Sequence, residues 1–163
     1  MIQMRIEKKN KFSVLGKKIW IPGNNNQIFG IFWDECLRDN TVSHLQELSK
    51  GKEFPNKAVF GVSRVEYDPS DSAFYFYIVC ESNEKNDMYE SFEVKEQLWA
   101  VFRTDQHAPN GLVQCRLECF YNWLPTSKYI RDNNVEIQMY PTINGKKYCE
   151  LYIPIKEKEI KSA

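Results

Sequence analysis

Apolar and polar positions along the chain switch between a period of about two and a period of about 3.6, the marks of strand and helix. From Phe12 to Ile21 the residues Phe12, Val14, Leu15, Ile19 and Trp20 are mixed with Lys and Ser, which predicts a strand. Pro22-Gly23-Asn24-Asn25-Asn26 ends it and offers Asn as a helix N-cap. Ile28, Ile31, Phe32, Cys36 and Leu37 then predict an amphipathic helix, with Trp33 beside the stripe. A short second helix is predicted through Ser43 to Leu48. Ala58 to Val65 and Ala73 to Cys80 read as two strands, and Tyr67 to Ser72 has the residues of a hairpin link.

The polar run Ser82 to Asp87 reads as a connector, and the order then recurs. A long strand is predicted from Phe92 to Arg103. Pro109-Asn110-Gly111 introduces a helix with Val113, Leu117, Phe120 and Leu124 on one face, ended near Pro125. Val135 to Tyr140 and Tyr148 to Ile155 are the closing strands, with Asn144-Gly145 as their turn. Each half reads strand, helix, strand, strand. The chain, 1–163, is therefore expected to be one α+β domain with a duplicated β-α-β-β motif, repeat one about 5–82 and repeat two about 90–157.

Charge and composition narrow the function. Twenty-two basic residues cancel 22 acidic ones, which gives no electrostatic case for direct DNA binding. The short clusters Lys8-Lys9-Asn10-Lys11, Lys17-Lys18 and Lys146-Lys147 read as solvated strands or turns. No apolar run is long enough to cross a membrane and no signal peptide is visible, so a cytoplasmic location is expected. Cys36, Cys80, Cys115, Cys119 and Cys149 lie in apolar segments and read as buried free thiols.

Strand alternation sorts the residues of the closing hairpin. Cys149, Leu151 and Ile153 are expected to face the helices, which turns Tyr148, Glu150 and Tyr152 the other way. By the same rule Val135, Ile137 and Met139 face the helices, and Glu136, Gln138 and Tyr140 oppose them. Three tyrosines on one surface suit a cleft better than a solvent-washed face. Tyr75, Tyr77 and Trp99 are the candidates to complete its walls, whereas Phe74, Phe76 and Trp33 are assigned to the core. Such a set can bind a small aromatic or cationic organic molecule, with apolar contact and cation–π attraction of ~0.5–2 kcal/mol per ring and a carboxylate or amide to orient it.

The segment Phe120-Tyr121-Asn122-Trp123-Leu124-Pro125-Thr126-Ser127-Lys128-Tyr129 resembles the W-L-P-x-S-x-Y signature of GyrI-like small-molecule-binding domains. Such domains also serve as effector-binding parts of AraC- and MerR-type bacterial regulators. Further matches follow in order: Gly16 at the end of an opening strand, Trp33-Asp34, Phe60-Gly61-Val62, Tyr77-Ile78-Val79, Ala100-Val101-Phe102, Tyr140-Pro141 and Glu150-Leu151-Tyr152-Ile153-Pro154-Ile155. The resemblance spans about Arg5 to Lys156. It implies antiparallel sheets with helices on one side, a ligand cleft between the two repeats, and stand-alone capture of hydrophobic, often cationic molecules. Relatives that bind cationic drugs carry a glutamate two residues before a closing-strand tyrosine, a place read here as Gln138. Either the register differs by two residues and Glu136 serves, or the ligand is read without that charge.

Other chemistries have weaker support. Cys115 and Cys119 lie one helical turn apart, but neither His44 nor His107 has ligand spacing to them, so no metal is expected. There is no G-x-G-x-x-G, P-loop or H-E-x-x-H, and neither a cofactor nor a catalytic residue is assigned. Some GyrI-like relatives are hydrolases, and Glu136 or Glu150 beside Tyr140 or Tyr152 is the pair such a reaction would use. A third reading, by likeness to gyrase inhibitors, is a protein-interaction module. No helix-turn-helix fits before Phe12 or after Lys156, so an effect on transcription calls for a separate protein partner.

Overall fold

The computed structural model describes residues 2–23, 27–64, 73–140, 142–143 and 146–159. In chain order the first elements are β1 (Gln3–Lys9), β2 (Phe12–Ile21), α1 (Gln27–Arg38), α2 (Thr41–Leu48), β3 (Val59–Arg64), β4 (Phe74–Glu81) and β5 (Glu90–Val94). They are followed by β6 (Gln97–Thr104), α3 (Asn110–Leu117), β7 (Tyr129–Arg131) and β8 (Val135–Met139). A small pair, β9 (Thr142–Ile143) and β10 (Lys146–Lys147), precedes β11 (Cys149–Glu157). The elements form two compact units, Asn10–Glu96 (the middle unit) and Met1–Lys9 with Gln97–Ala163 (the terminal unit). The predicted turns at Tyr67–Ser72 and Asn144-Gly145 and the predicted Asn caps at 24–26 lie outside the described residues.

In the middle unit an antiparallel sheet runs β3-β4-β2-β5. Alternation along β2 and β4 turns Leu15, Ile21, Phe76, Ile78 and Cys80 toward Phe32 and Cys36 of α1 and Leu45 of α2. The helix stripe differs from the sequence expectation. Phe29, Phe32, Trp33 and Cys36 meet the core, at steps i, i+3, i+4 and i+7, whereas Ile31 and Leu37 are more than half exposed. Trp33 is thus part of the stripe rather than beside it. Gly16 lies inside β2 rather than at its end, and a Cβ there would fall 1.9 Å from the carbonyl oxygen of Ile78. Only glycine permits that approach of β2 to β4.

The terminal unit has the matching sheet order β8-β11-β6-β1, with β7 paired to the end of β11. Sequence order and strand pairing therefore diverge. β1 precedes β2 but pairs with β6, and β5 precedes β6 but pairs with β2. The strand predicted as continuous from Phe92 to Arg103 is broken at Lys95-Glu96, where the chain passes from one unit to the other.

Helix α3 packs on β6 and β11 through Gly111 and Cys115, and the π-helical turn that continues it (Glu118–Trp123) adds Cys119. Of the predicted stripe Val113, Leu117, Phe120 and Leu124, the last two pack on this core, whereas the small-residue ridge takes the place of Val113 and Leu117, which are 50% and 45% exposed. Small side chains let the helix lie close to the sheet: Cys115 Sγ is 3.5 Å from the carbonyl oxygen of Phe102. After a 3-10 turn (Leu124–Thr126), Trp123 stacks on Tyr129 at 5.8 Å and meets Phe102 edge-on. Ser127 Oγ donates to the Leu124 carbonyl and accepts from the Tyr129 N–H. The W-L-P-x-S-x-Y segment thus closes the helix onto the sheet. Among the described residues no helix is long and apolar enough to cross a membrane.

Candidate ligand-binding face

Cross-strand partners share a face, so the registers of the terminal sheet sort its side chains. Leu151 and Ile153 face α3. Opposite them stand Glu150, paired with Arg103 and Met139, and Tyr152, paired with Val101 and Ile137. Trp99 is on that same face by alternation from Val101, and Arg5 by its pairing with Val101. Tyr148, just before β11, is half-buried beside Arg103.

The expectation for β8 is reversed. Gln138 pairs with Leu151 and therefore looks toward α3, as does Glu136, while Ile137 and Met139 share the face of Tyr152 and Glu150. The reason is electrostatic. Arg116 of α3 and Arg131 of β7 bond to the two oxygens of Glu136, and both guanidinium groups lie over the ring of Phe120. Because both faces of β8 are buried, its polarity pattern does not report which side the helix occupies. Tyr140 follows the end of β8 and is half-buried.

Trp99, Tyr148, Glu150 and Tyr152 are thus brought together on one face of the terminal unit. Trp99 is fully buried and meets Tyr152 edge-on, with centroids 6.2 Å apart. Its indole Nε1–H has no hydrogen-bond partner among the described residues. Arg5 donates to Glu150 Oε2 at 2.6 Å and to the Tyr152 hydroxyl at 3.2 Å. Burial works to lower the pKa of Arg5, but the hydrogen bond and charge of Glu150 outweigh it and raise the value. Burial pushes the Tyr152 phenol up, with the Glu150 charge adding to it, so its hydroxyl stays protonated. Lys9, only 4% exposed, donates to Glu7 and stands 5.6 Å above the Tyr152 ring.

Arg5 has no place in the sequence expectation, and the expectation of a solvated Lys9 is overturned, because β1 turns Lys9 inward beside Tyr152. The signal was present: Met4-Arg5-Ile6-Glu7 alternates apolar and charged positions. Glu150 stands two residues before Tyr152, the same glutamate-before-tyrosine spacing in which Gln138 precedes Tyr140.

Tyr75 and Tyr77 lie in the middle unit, on the sheet face away from α1 and α2, and Phe74 and Phe76 pack toward the helices. Tyr75 meets Trp20 at 4.9 Å and Tyr77 meets Phe92 at 4.8 Å. The middle unit also holds a cavity of about 200 Å³ bordered by Phe12, Lys52 and Glu81. Its buried acid is already engaged: Glu81 accepts the backbone N–H groups of Lys52, Glu53 and Phe54. Cys115 and Cys119 are core residues whose thiols burial raises to about 12. Among the described residues no three metal-ligating side chains cluster.

The model of the Cass2 family, integron-associated effector binding proteins, matches residues 5–155. The chain belongs to this family. Solved structures place the Cass2-family chain in the GyrI-like fold that its sequence resembles. SAV2435 bound to tetraphenylphosphonium matches with a TM-score of 0.79 at 16% identity, over 94% of this chain and 94% of that one. VCH_CASS2, an integron cassette protein from the mobile metagenome of Vibrio cholerae, matches at 0.63 and 15% identity, over 94% and 95%. The C-terminal domain of EcmrR matches at 0.66 and 10% identity, over 97% and 99%. At these identities the likeness is one of fold: α+β, with antiparallel sheets and helices on one side of each. No protein of curated function matches the Cass2-family sequence significantly.

Proposed function

We propose that this Cass2-family protein captures small hydrophobic aromatic molecules against Trp99 and Tyr152 of the terminal unit. The observation that supports this most is the indole N–H of Trp99, fully buried beside Tyr152 and without a hydrogen-bond partner among the described residues. An unmade buried hydrogen bond costs about 1–3 kcal/mol, a cost that a ligand acceptor would remove. Ile137, Met139 and Val101 add an apolar floor, and Tyr148 and Glu150 supply the few polar groups that orient a ligand. The tetraphenylphosphonium of the SAV2435 structure is a ligand of the same aromatic class. With no excess of basic charge, the chain would pass a ligand signal to transcription through a separate protein partner.

The test is a titration of tryptophan emission with aromatic organic compounds of different charge. Saturable quenching is expected, weakened about tenfold or more by Tyr152→Leu, which keeps an apolar side chain but removes the ring and hydroxyl. Binding that is indifferent to Tyr152→Leu and to Trp99→Phe contradicts the reading.

A further inference from the structure

We infer that Arg5 is an internal occupant of the ligand-binding face and a specificity-determining residue. Its guanidinium holds the place of a ligand's cationic group on Glu150 and Tyr152, and yields it to an incoming organic cation. This role presupposes the proposed placement of the ligand against Trp99 and Tyr152.

Glu150 is only 7% exposed and stands on the face that Trp99 and Tyr152 share. A buried carboxylate needs a cation beside it. Arg5 meets that need from another strand. Its Nη1 is 2.6 Å from Glu150 Oε2, its Nη2 is 3.2 Å from the Tyr152 hydroxyl, and its guanidinium carbon is 5.9 Å from the centroid of that ring. Carboxylate, hydroxyl and ring face are the groups that a ligand's cation would use, and Arg5 already holds all three.

Two features make Arg5 removable. Its side chain is 45% exposed, so the guanidinium reaches water without opening the core. A second carboxylate is also at hand: Glu7 Oε2 lies 3.2 Å from both Nε and Nη2, so Arg5 leaves Glu150 and keeps an ion pair. The other cations of the face are placed differently. Lys9, 4% exposed, is enclosed 5.6 Å above the Tyr152 ring, and Arg103 lies over the Tyr148 ring at 3.9 Å.

The exchange selects by charge. A cation that takes Glu150 replaces one ion pair with another. A neutral ligand that pushed Arg5 aside would leave the carboxylate buried and unpaired, a loss larger than contact with one more ring returns. Neutral compounds therefore bind beside a closed Arg5–Glu150 pair, and cations open it.

Tetraphenylphosphonium and neutral triphenylmethane, titrated by tryptophan emission against wild type, Arg5→Gln and Arg5→Lys, test this role. Arg5→Gln removes the competing cation and should tighten the phosphonium about tenfold or more, while triphenylmethane changes less than about threefold. Arg5→Lys restores a cation and should bring the phosphonium most of the way back. In ¹⁵N-labelled wild type the Arg5 Nε–H resonance, assigned by its loss in Arg5→Gln, should move with the phosphonium and hold with triphenylmethane. An unchanged or weaker phosphonium affinity in a folded Arg5→Gln variant, equal tightening of both compounds, or an Arg5 resonance unmoved by bound phosphonium would each overturn the role of Arg5 while leaving aromatic capture intact. Failure of both compounds to bind wild type and Arg5→Gln alike would remove the underlying reading as well. The wild-type Arg5 resonance decides the matter even where a variant folds poorly.

Discussion

Arg5 and Glu150 meet across an intervening strand: Nη1 and Oε2 are 2.6 Å apart although β6 lies between β1 and β11. The pair therefore ties three strands together on the candidate face. Glu150→Gln leaves the guanidinium with a neutral partner. Arg5 is 45% exposed, so solvent compensates much of the loss, and a destabilisation of about 1 kcal/mol is expected in urea unfolding. No change in midpoint would mean that the pair is only a surface contact.

Glu136 should behave differently from Glu150. Its carboxylate is buried and engaged by Arg116 and Arg131, so Glu136→Gln should cost about 2 kcal/mol of stability. The cost should show in chemical unfolding, while affinity for an aromatic ligand stays near that of the wild type. A large loss of affinity in a stably folded variant would return Glu136 to the ligand site.

Gly16→Ala tests the close approach of β2 to β4. The new methyl would fall 1.9 Å from Ile78 O and 2.7 Å from Val79 Cα, both backbone atoms that cannot swing away. A loss of about 3 kcal/mol or failure to fold is expected. A variant with unchanged Tm would show that the two strands are further apart.

The thiols should be silent in the native state. Burial raises Cys36 and Cys80 to about 11 and Cys115 and Cys119 to about 12, and it raises Cys149 as well. At pH 8 all five are protonated and enclosed, so a thiol reagent such as Ellman's should react only through opening of the fold. Five equivalents should appear at once in denaturant. A fast native-state equivalent would contradict the burial of at least one cysteine.

Period and motif together carry much of this fold at the level of sequence. The Phe74–Cys80 and Tyr148–Ile155 strands, the two-helix segment and the W-L-P-x-S-x-Y closure are all legible because their apolar pattern and turn residues agree with their surroundings. The exchange of β1 and β5 is not legible, because pairing between segments this far apart leaves no local period to read. The face of β8 is misread for a related reason. Alternation reports a face only where one side is solvated, and Glu136 is a charge that salt bridges hold on the helix side. Arg116 and Arg131, the residues that make this possible, come from other elements.

The central claim is that Trp99 and Tyr152 receive the ligand. The most direct measurement is the indole N–H spectrum of ¹⁵N-labelled protein, with Trp99 assigned by Trp99→Phe, during titration with an aromatic compound that quenches the tryptophan emission. Trp99 is expected to move or broaden in step with binding, as the ligand packs against its ring and meets an N–H that has no partner among the described residues, while Trp33 and Trp123, which pack against the helix-side clusters, stay in place. Saturable binding that leaves the Trp99 resonance unmoved would contradict the account.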